Sequence, residues 1–279
     1  MKLYLRTFIT VLICSVMVAC GNQQVNDTNS RQENADAQPD WVLLPFVKLD
    51  SVNPILSPGE GKFFCPLRKD TVRWEEKDVF NPATVVRNDT LFMIYRAEDS
   101  VGKFAGTSRL GLAWSVDGKY FNRFPEPIFF PDNDAQQKYE WEGGCEDPRI
   151  VEDSSGRYVL TYTSFDGTTA RLMVASSPDL INWTKYGPAF SGRYRDVWSK
   201  SGSIVSEYLP NGKIVAKKIN DKYWMYWGDV NIWAASSPDL INWTPILYAK
   251  NEKAEIELRH YAPLIKELKI VFGPRPKKF

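Results

Sequence analysis

Histidine is almost missing from these 279 residues: there is one, His260, near the C-terminal end. A multi-histidine metal centre is thereby excluded, and acid or base chemistry falls to carboxylates, tyrosine or lysine. Neither sign of charge is in surplus, since 35 Lys and Arg face 34 Asp and Glu for a formal +1. Phosphate recognition along a nucleic acid normally leaves a basic excess, so nucleic acid is not an expected partner. Cysteines number four. Two of them, Cys14 and Cys20, fall in the first twenty residues, and Cys65 and Cys145 leave room for one disulfide or for two separate buried thiols, not for a disulfide scaffold. No segment carries a helical apolar period. The apolar run from Phe8 to Ala19 is too short to span a bilayer as a helix.

What is present begins with an address. Lys2 and Arg6 precede that apolar run, the pattern of a secretory signal. It ends Met17-Val18-Ala19-Cys20-Gly21, which resembles a bacterial lipoprotein cleavage site whose cysteine becomes the lipidated N-terminus. An ordinary signal peptide with an unrelated cysteine is the alternative. Residues 20–40 are rich in Asn, Gln, Asp and Ser and nearly free of apolar side chains, so they cannot bury enough surface to fold. The expected organisation is a signal peptide over 1–19, a lipidated Cys20 with a tether over 20–40, and a folded domain over 41–279. The expected location is the periplasm or the outer-membrane surface, with membrane contact through the lipid only.

A repeat sets the architecture. Ala175-Ser-Ser-Pro-Asp-Leu-Ile-Asn-Trp183-Thr184 returns as Ala235-Ser-Ser-Pro-Asp-Leu-Ile-Asn-Trp243-Thr244, a shift of sixty. A weaker copy, Ala113-Trp-Ser-Val-Asp117 through Phe121, stands one period earlier. Upstream of each copy lies a pair of β-rich segments: Asn81-Pro-Ala-Thr-Val-Val with Leu91-Phe-Met-Ile-Tyr95, Asp147-Pro-Arg-Ile-Val with Tyr158-Val-Leu-Thr-Tyr162, and Gly202-Ser-Ile-Val with Tyr223-Trp-Met-Tyr226. Asn88-Asp89, Ser155-Gly156 and Asn211-Gly212 stand in hairpin positions. An all-β repeat of this length predicts a β-propeller of four-stranded blades, with the repeated Asp capping an outer turn and the aromatic residue packed between blades. The folded part holds about four such units. Four blades close a ring, or residues 41–80 supply strands to a last blade that is incomplete at Phe279.

In a propeller the first strand of each unit lines the central funnel. The candidate inner strands carry Phe80-Asn81-Pro82, Gly144-Cys145-Glu146-Asp147-Pro148-Arg149 and Lys200-Ser201-Gly202-Ser203. Strand alternation lets Asp147 face the funnel while a neighbour holds a supporting ion pair; the competing reading is an Asp-Pro turn with surface charges.

The strings Gly143-Gly144-Cys145-Glu146-Asp147-Pro148-Arg149-Ile150, Val79-Phe80-Asn81-Pro82-Ala83 and Tyr95-Arg96-Ala97-Glu98 resemble glycoside hydrolase family 130, over roughly residues 41–279. The resemblance implies a five-bladed propeller acting on β-mannosides by phosphorolysis or, in an exported subgroup, by inverting hydrolysis. It implies Asp147 as the acid, its proton relayed through a sugar hydroxyl, and Asn81, Arg96 and Arg149 holding the sugar, with Glu146 beside them.

Phosphorolysis conserves bond energy in a charged sugar phosphate, an advantage only inside a cell, so an exported chain is expected to hydrolyse. Inversion needs a carboxylate base roughly 6.5–9.5 Å from the acid. Glu207 is the first candidate, followed by Asp229 and by Glu252, Glu255 and Glu257. Lys200 argues the other way, because phosphorylases of the family use a lysine near there for phosphate. Among the tryptophans, Trp198, Trp224, Trp227 and Trp233 could stack on sugar, and Trp227 is carried forward. The expectation is therefore an exported hydrolase of β-mannosidic, above all β-1,2, bonds, needing no metal or cofactor. A phosphorylase of the same fold and a non-catalytic glycan-binding lipoprotein are the rivals.

Overall fold

Runs such as Leu91-Phe92-Met93-Ile94-Tyr95 and Tyr158-Val159-Leu160-Thr161-Tyr162 are built of side chains that favour extended backbone. Each is a strand in the computed structural model, which describes residues 48–246. Strands β1 (Lys62–Cys65) and β2 (Asp70–Arg73) form a separate hairpin. The first repeat unit follows as β3 (Asp78–Arg87), β4 (Thr90–Glu98), β5 (Ser108–Ser115) and the short β6 (Asn122–Arg123). A single helical turn, α1 (Gln137–Glu140), leads to the second unit: β7 (Gly144–Glu152), β8 (Tyr158–Phe165), β9 (Ala170–Ser177) and β10 (Thr184–Pro188). The third contains β11 (Ser203–Ile204), β12 (Ser206–Tyr208), β13 (Ile214–Ala216), β14 (Lys218–Ile219), β15 (Lys222–Gly228), β16 (Ile232–Ser237) and β17 (Thr244–Pro245).

The chain is all-β, and within each unit neighbouring strands are antiparallel. Units meet through single parallel pairings, Ser108 with Gly144 and Val215 with Glu152. Period-two alternation sorts the side chains of the second unit onto two faces. Leu160, Tyr162 and Met173 pack with Val85, Ile94 and Leu112 of the first unit, while Val159, Leu172 and Val174 pack with Met225, Trp227 and Trp243 of the third. With both faces covered, β9 is buried along its whole length. A third core joins Phe63, Val72 and Trp74 of the first hairpin to Met93 and Tyr95. Each such side chain contributes about 1.5–3 kcal/mol by leaving water.

The repeated Ser-x-Asp makes the same turn three times, as the sequence predicts. Asp117, Asp179 and Asp239 each accept two backbone N–H groups from the residues that follow, and Ser115, Ser177 and Ser237 accept from Gly118, Leu180 and Leu240. The donors Gly118, Leu180 and Leu240 are left-handed, with φ of 69°, 73° and 69°. Trp183 and Trp243 then donate their indole N–H to the carbonyls of Leu180 and Leu240.

The hairpins differ in one place. Asn88-Asp89 and Ser155-Gly156 connect the first two strands of their units, but Asn211-Gly212 tips an extra hairpin, β12–β13, that interrupts the inner strand of the third. The turn equivalent to Asn88-Asp89 is Asn220-Asp221, with φ of 51° and 59° against 49° and 55°. Cys65 and Cys145 are separate buried thiols. Cys20, the segments 1–19 and 20–40, the cluster Glu252, Glu255 and Glu257, and His260 lie outside the described residues.

Candidate active site

Each inner strand breaks its pleat at one residue. Register slips between Phe80 and Ala83 in β3 and between Glu146 and Arg149 in β7, and the third unit turns just before β11. The residues at these points are Asn81, Asp147 and Ser201, all left-handed with φ of 45°, 49° and 55°. A bulge re-aims a side chain that would otherwise lie flat in the ladder. Here the two bulges and the turn before β11 converge, and a cavity of about 330 Å³ is lined by Asn81, Pro82, Asp147, Pro148, Arg149 and Ser201. Ser201 stands in a candidate inner strand but is not among the site residues expected from the sequence, although alignment of the inner strands makes it equivalent to Asn81 and Asp147.

Asp147 is held by its Oδ1 atom. Asn81 Nδ2 donates to it at 2.8 Å and Arg96 Nη1 at 3.0 Å. Among the described residues Oδ2 faces only the Lys200 ammonium, at 3.9 Å. Arg96 is in turn fixed on every side: Nε donates to Ser108 Oγ, Nη2 meets Glu98 at 2.7 Å and Glu146 at 3.1 Å, and its plane lies over the Phe80 ring. Arg96 and Glu146 therefore stand behind the cavity wall as supports for Asp147. That corrects the expectation that Arg96 and Glu146 touch substrate: Arg96 is engaged by Ser108, Glu98, Glu146 and Asp147, and Glu146 is turned inward against Arg96 and 8% exposed. Arg149 does reach the cavity and has no ion-pair partner among the described residues.

The two adjacent acids are pushed in opposite directions. Burial raises the Asp147 carboxyl, but the Asn81 hydrogen bond and the charges of Arg96 and Lys200 outweigh it and leave the group below the ordinary carboxylate range. Burial also raises Glu146, and there it prevails over Arg96, with the Asp147 charge adding to it. Paired carboxyls whose environments separate their proton affinities are the usual basis for dividing acid and base roles.

The remaining predicted residues divide. Gly228 N–H donates to the Lys200 carbonyl, which sets Asp229 at the same end of the sheet as Asp147, and Asp229 accepts from Trp198 Nε1 at 3.0 Å. Glu207 is elsewhere. It lies on β12, opposite Val215, which pairs with Glu152 at the far end of β7, roughly 15 Å along the strand from Asp147. Its carboxylate meets Lys217 at 3.0 Å. The expectation that Glu207 faces Asp147 across a sugar is corrected by the inserted hairpin, which carries it to the opposite end. Trp227 is also corrected: it is 4% exposed and packs between Phe190 and Trp233 in the core. No cluster of His, Cys, Asp or Glu suited to a metal ion occurs among the described residues.

Comparison with known proteins agrees with this picture. Residues 63–278 match the model of glycoside hydrolase family 130, described as β-1,4-mannooligosaccharide phosphorylase. A 1,2-β-oligomannan phosphorylase of Thermoanaerobacter sp. (strain X514) is 34% identical over 179 residues, 61% of this chain and 53% of the relative. Among solved structures, a glycosyl hydrolase from Bacteroides ovatus is 48% identical with a TM-score of 0.73, covering 78% of this chain and 63% of that one. A second, described as showing that the family of mannoside phosphorylases contains glycoside hydrolases that target β-1,2 mannosidic linkages in Candida mannan, is 47% identical with a TM-score of 0.73, over 78% of this chain and 62% of that one. The chain spans about half the length of the curated relatives it matches.

Proposed function

The chain belongs to glycoside hydrolase family 130, and from that premise we propose that it hydrolyses β-mannosidic bonds, above all β-1,2 links of mannan-derived oligosaccharides, with inversion. The observation that carries the reading is the asymmetry of Asp147: Oδ1 is saturated by Asn81 and Arg96, while Oδ2 is left beside the cavity. An oriented carboxyl with one oxygen that accepts no hydrogen bond among the described residues, and meets only the Lys200 charge at 3.9 Å, suits proton transfer to a substrate hydroxyl. A bound sugar excludes water and strengthens the burial effect that already acts on Asp147, raising its affinity for the proton in the complex.

Asn81 and Ser201 flank the acid as hydrogen-bonding groups for the sugar, and Arg149 adds a cation. An inverting base must act on a water across the sugar from the leaving group; Asp229, bonded to Trp198 at the same end of the sheet as Asp147, is a polar neighbour of the site in this reading. The stacked repeat units support a β-propeller, five-bladed in the family, within a catalytic domain over 41–279. The N-terminal pattern supports a signal peptide over 1–19 and anchoring through Cys20, in the periplasm or at the outer-membrane surface, and an envelope location favours hydrolysis.

A phosphorylase is the second reading. It is favoured by Lys200 and Arg149 near Asp147 and by the names of the curated relatives. Incubation of the chain with β-1,2-mannobiose, with and without phosphate and followed by NMR, separates the two. Hydrolysis gives α-mannose first, at a rate indifferent to phosphate. Mannose 1-phosphate formed in proportion to phosphate establishes the phosphorylase, and binding without turnover establishes a non-catalytic glycan receptor.

A further inference from the structure

Exposed apolar side chains occur at both ends of the sheets, and at one end they include a connected aromatic row. Val101, Phe104, Val197, Trp198, Val230 and Ile232 all lie at the end where the inner strands begin, the end that holds Asp147. At the opposite end the turns Asn88-Asp89, Ser155-Gly156 and Asn220-Asp221 are polar, and Val116, Tyr120, Ile181 and Tyr208 are exposed without ring contacts to one another. Within the apolar set three rings are continuous. Phe104 meets Phe165 edge-on at 5.8 Å between centroids, and Phe165 meets Trp198 at 6.3 Å. Trp198 is 49% exposed and Phe104 38%.

Two glycines make room for this row. A Cβ on Gly167 would stand 2.1 Å from the Phe104 ring, and one on Gly143 would stand 2.5 Å from the Phe165 ring. The row is thus seated in the backbone at two points. It is also adjacent to the cavity: Phe165 ends β8 opposite Gly144, one strand over and three residues from Asp147, roughly 10 Å away. Asp229 supplies a polar group at the Trp198 end, and the Lys103 ammonium lies 5.3 Å from the Phe104 ring at the other.

We propose that Phe104, Phe165 and Trp198 form a platform for the leaving side of an oligosaccharide, so that the preferred substrates hold three or more sugars. This rests on the mannoside reading above. A sugar presents an apolar C–H face and a polar rim, and an aromatic row with acids and amines at its ends matches both. Its continuity with the cavity names the occupant: the part of the chain beyond the bond being broken.

The test compares kcat/KM of the full chain on β-1,2-linked mannobiose, mannotriose and mannotetraose. Wild type should favour the longer substrates. Phe104→Ala should lower kcat/KM on the tetraose about tenfold, the worth of one aromatic contact, and leave mannobiose within about twofold. In parallel, Asp147→Asn is titrated with mannotriose by tryptophan fluorescence, with Asp147→Asn/Trp198→Phe as the reference, and thermal unfolding checks each variant. Equal kcat/KM at every length, with Phe104→Ala silent, overturns the platform while the mannoside activity stands. No turnover of any mannoside, with a mannotriose response that vanishes on Trp198→Phe, overturns the activity and supports the platform; no response in either protein overturns the platform.

Discussion

Asn81 of the first unit donates to Asp147 of the second, Nδ2 to Oδ1 at 2.8 Å, across the gap between two equivalent left-handed bulges. The bond ties adjacent units together at the point where the proposed acid must be held still. It also favours the ionised form of that acid, which gives the site a legible pH signature.

Asp147→Asn should fold normally, because the amide oxygen can still accept from Asn81 and Arg96. Turnover should fall by about 10²–10⁴, the usual worth of general acid catalysis. Steady-state rates and a thermal melt on the same preparation decide it, and activity within threefold of wild type removes Asp147 from the mechanism.

Asn81→Ala should move the alkaline limb of kcat/KM to higher pH. The acid must enter the free enzyme's profile protonated, so activity falls as pH rises through the pKa of Asp147, which Asn81 holds below its ordinary 3.8. Loss of a hydrogen bond to the charged form raises that pKa. A limb that stays put in Asn81→Ala removes Asp147 from the role of acid.

The outer turns carry part of the acid stability. Burial raises the Asp179 carboxyl, but four hydrogen-bond donors, two backbone N–H groups, the Asn182 amide and the Ser177 hydroxyl, bring it down to about 2 from 3.8. A depressed carboxyl stabilises the fold above its unfolded pKa and loses that contribution as pH falls through the folded one. Wild type should therefore weaken over the interval from 3.8 to about 2 more steeply than Asp179→Asn, as read by urea midpoints at successive pH values. Parallel curves would show that the turn does not depend on charge.

Arg109 and Asp99 form an ion pair at 2.7 Å with both side chains wholly buried, and Asp99 also accepts the backbone N–H groups of Gly102 and Thr107. Removing one partner strands the other charge, so Arg109→Met should cost about 3–5 kcal/mol in urea unfolding. A loss under 1 kcal/mol would mean that the loop it anchors relaxes to let water in.

Much of this was legible in the sequence because the repeat copies itself nearly verbatim. Ser177-x-Asp179 and Ser237-x-Asp239 announce one turn twice, and the side chains that make it are local to it. Asn81, Asp147 and Arg96 were identified through the family resemblance, and they do converge. Glu207 was misplaced because an insertion between β11 and β14 shifts chain position without shifting the repeat, and no local pattern shows where a hairpin will dock. Trp227 was misjudged for a different reason: alternation assigns a residue to a face, but not which faces become covered. Ser201 could have been found by aligning the inner strands on their break points instead of on their charges.

Those break points have a consequence for ancestry. A backbone at φ near +50° admits few side chains, and Asn and Asp are foremost among the non-glycine residues that tolerate it. When one unit is duplicated into several, each copy inherits an inner position already restricted to short polar groups and already aimed at the same place. An amide, a carboxylate and a hydroxyl now fill the three described copies. Diversification at such positions exchanges one polar chemistry for another while the strands around them stay as they were.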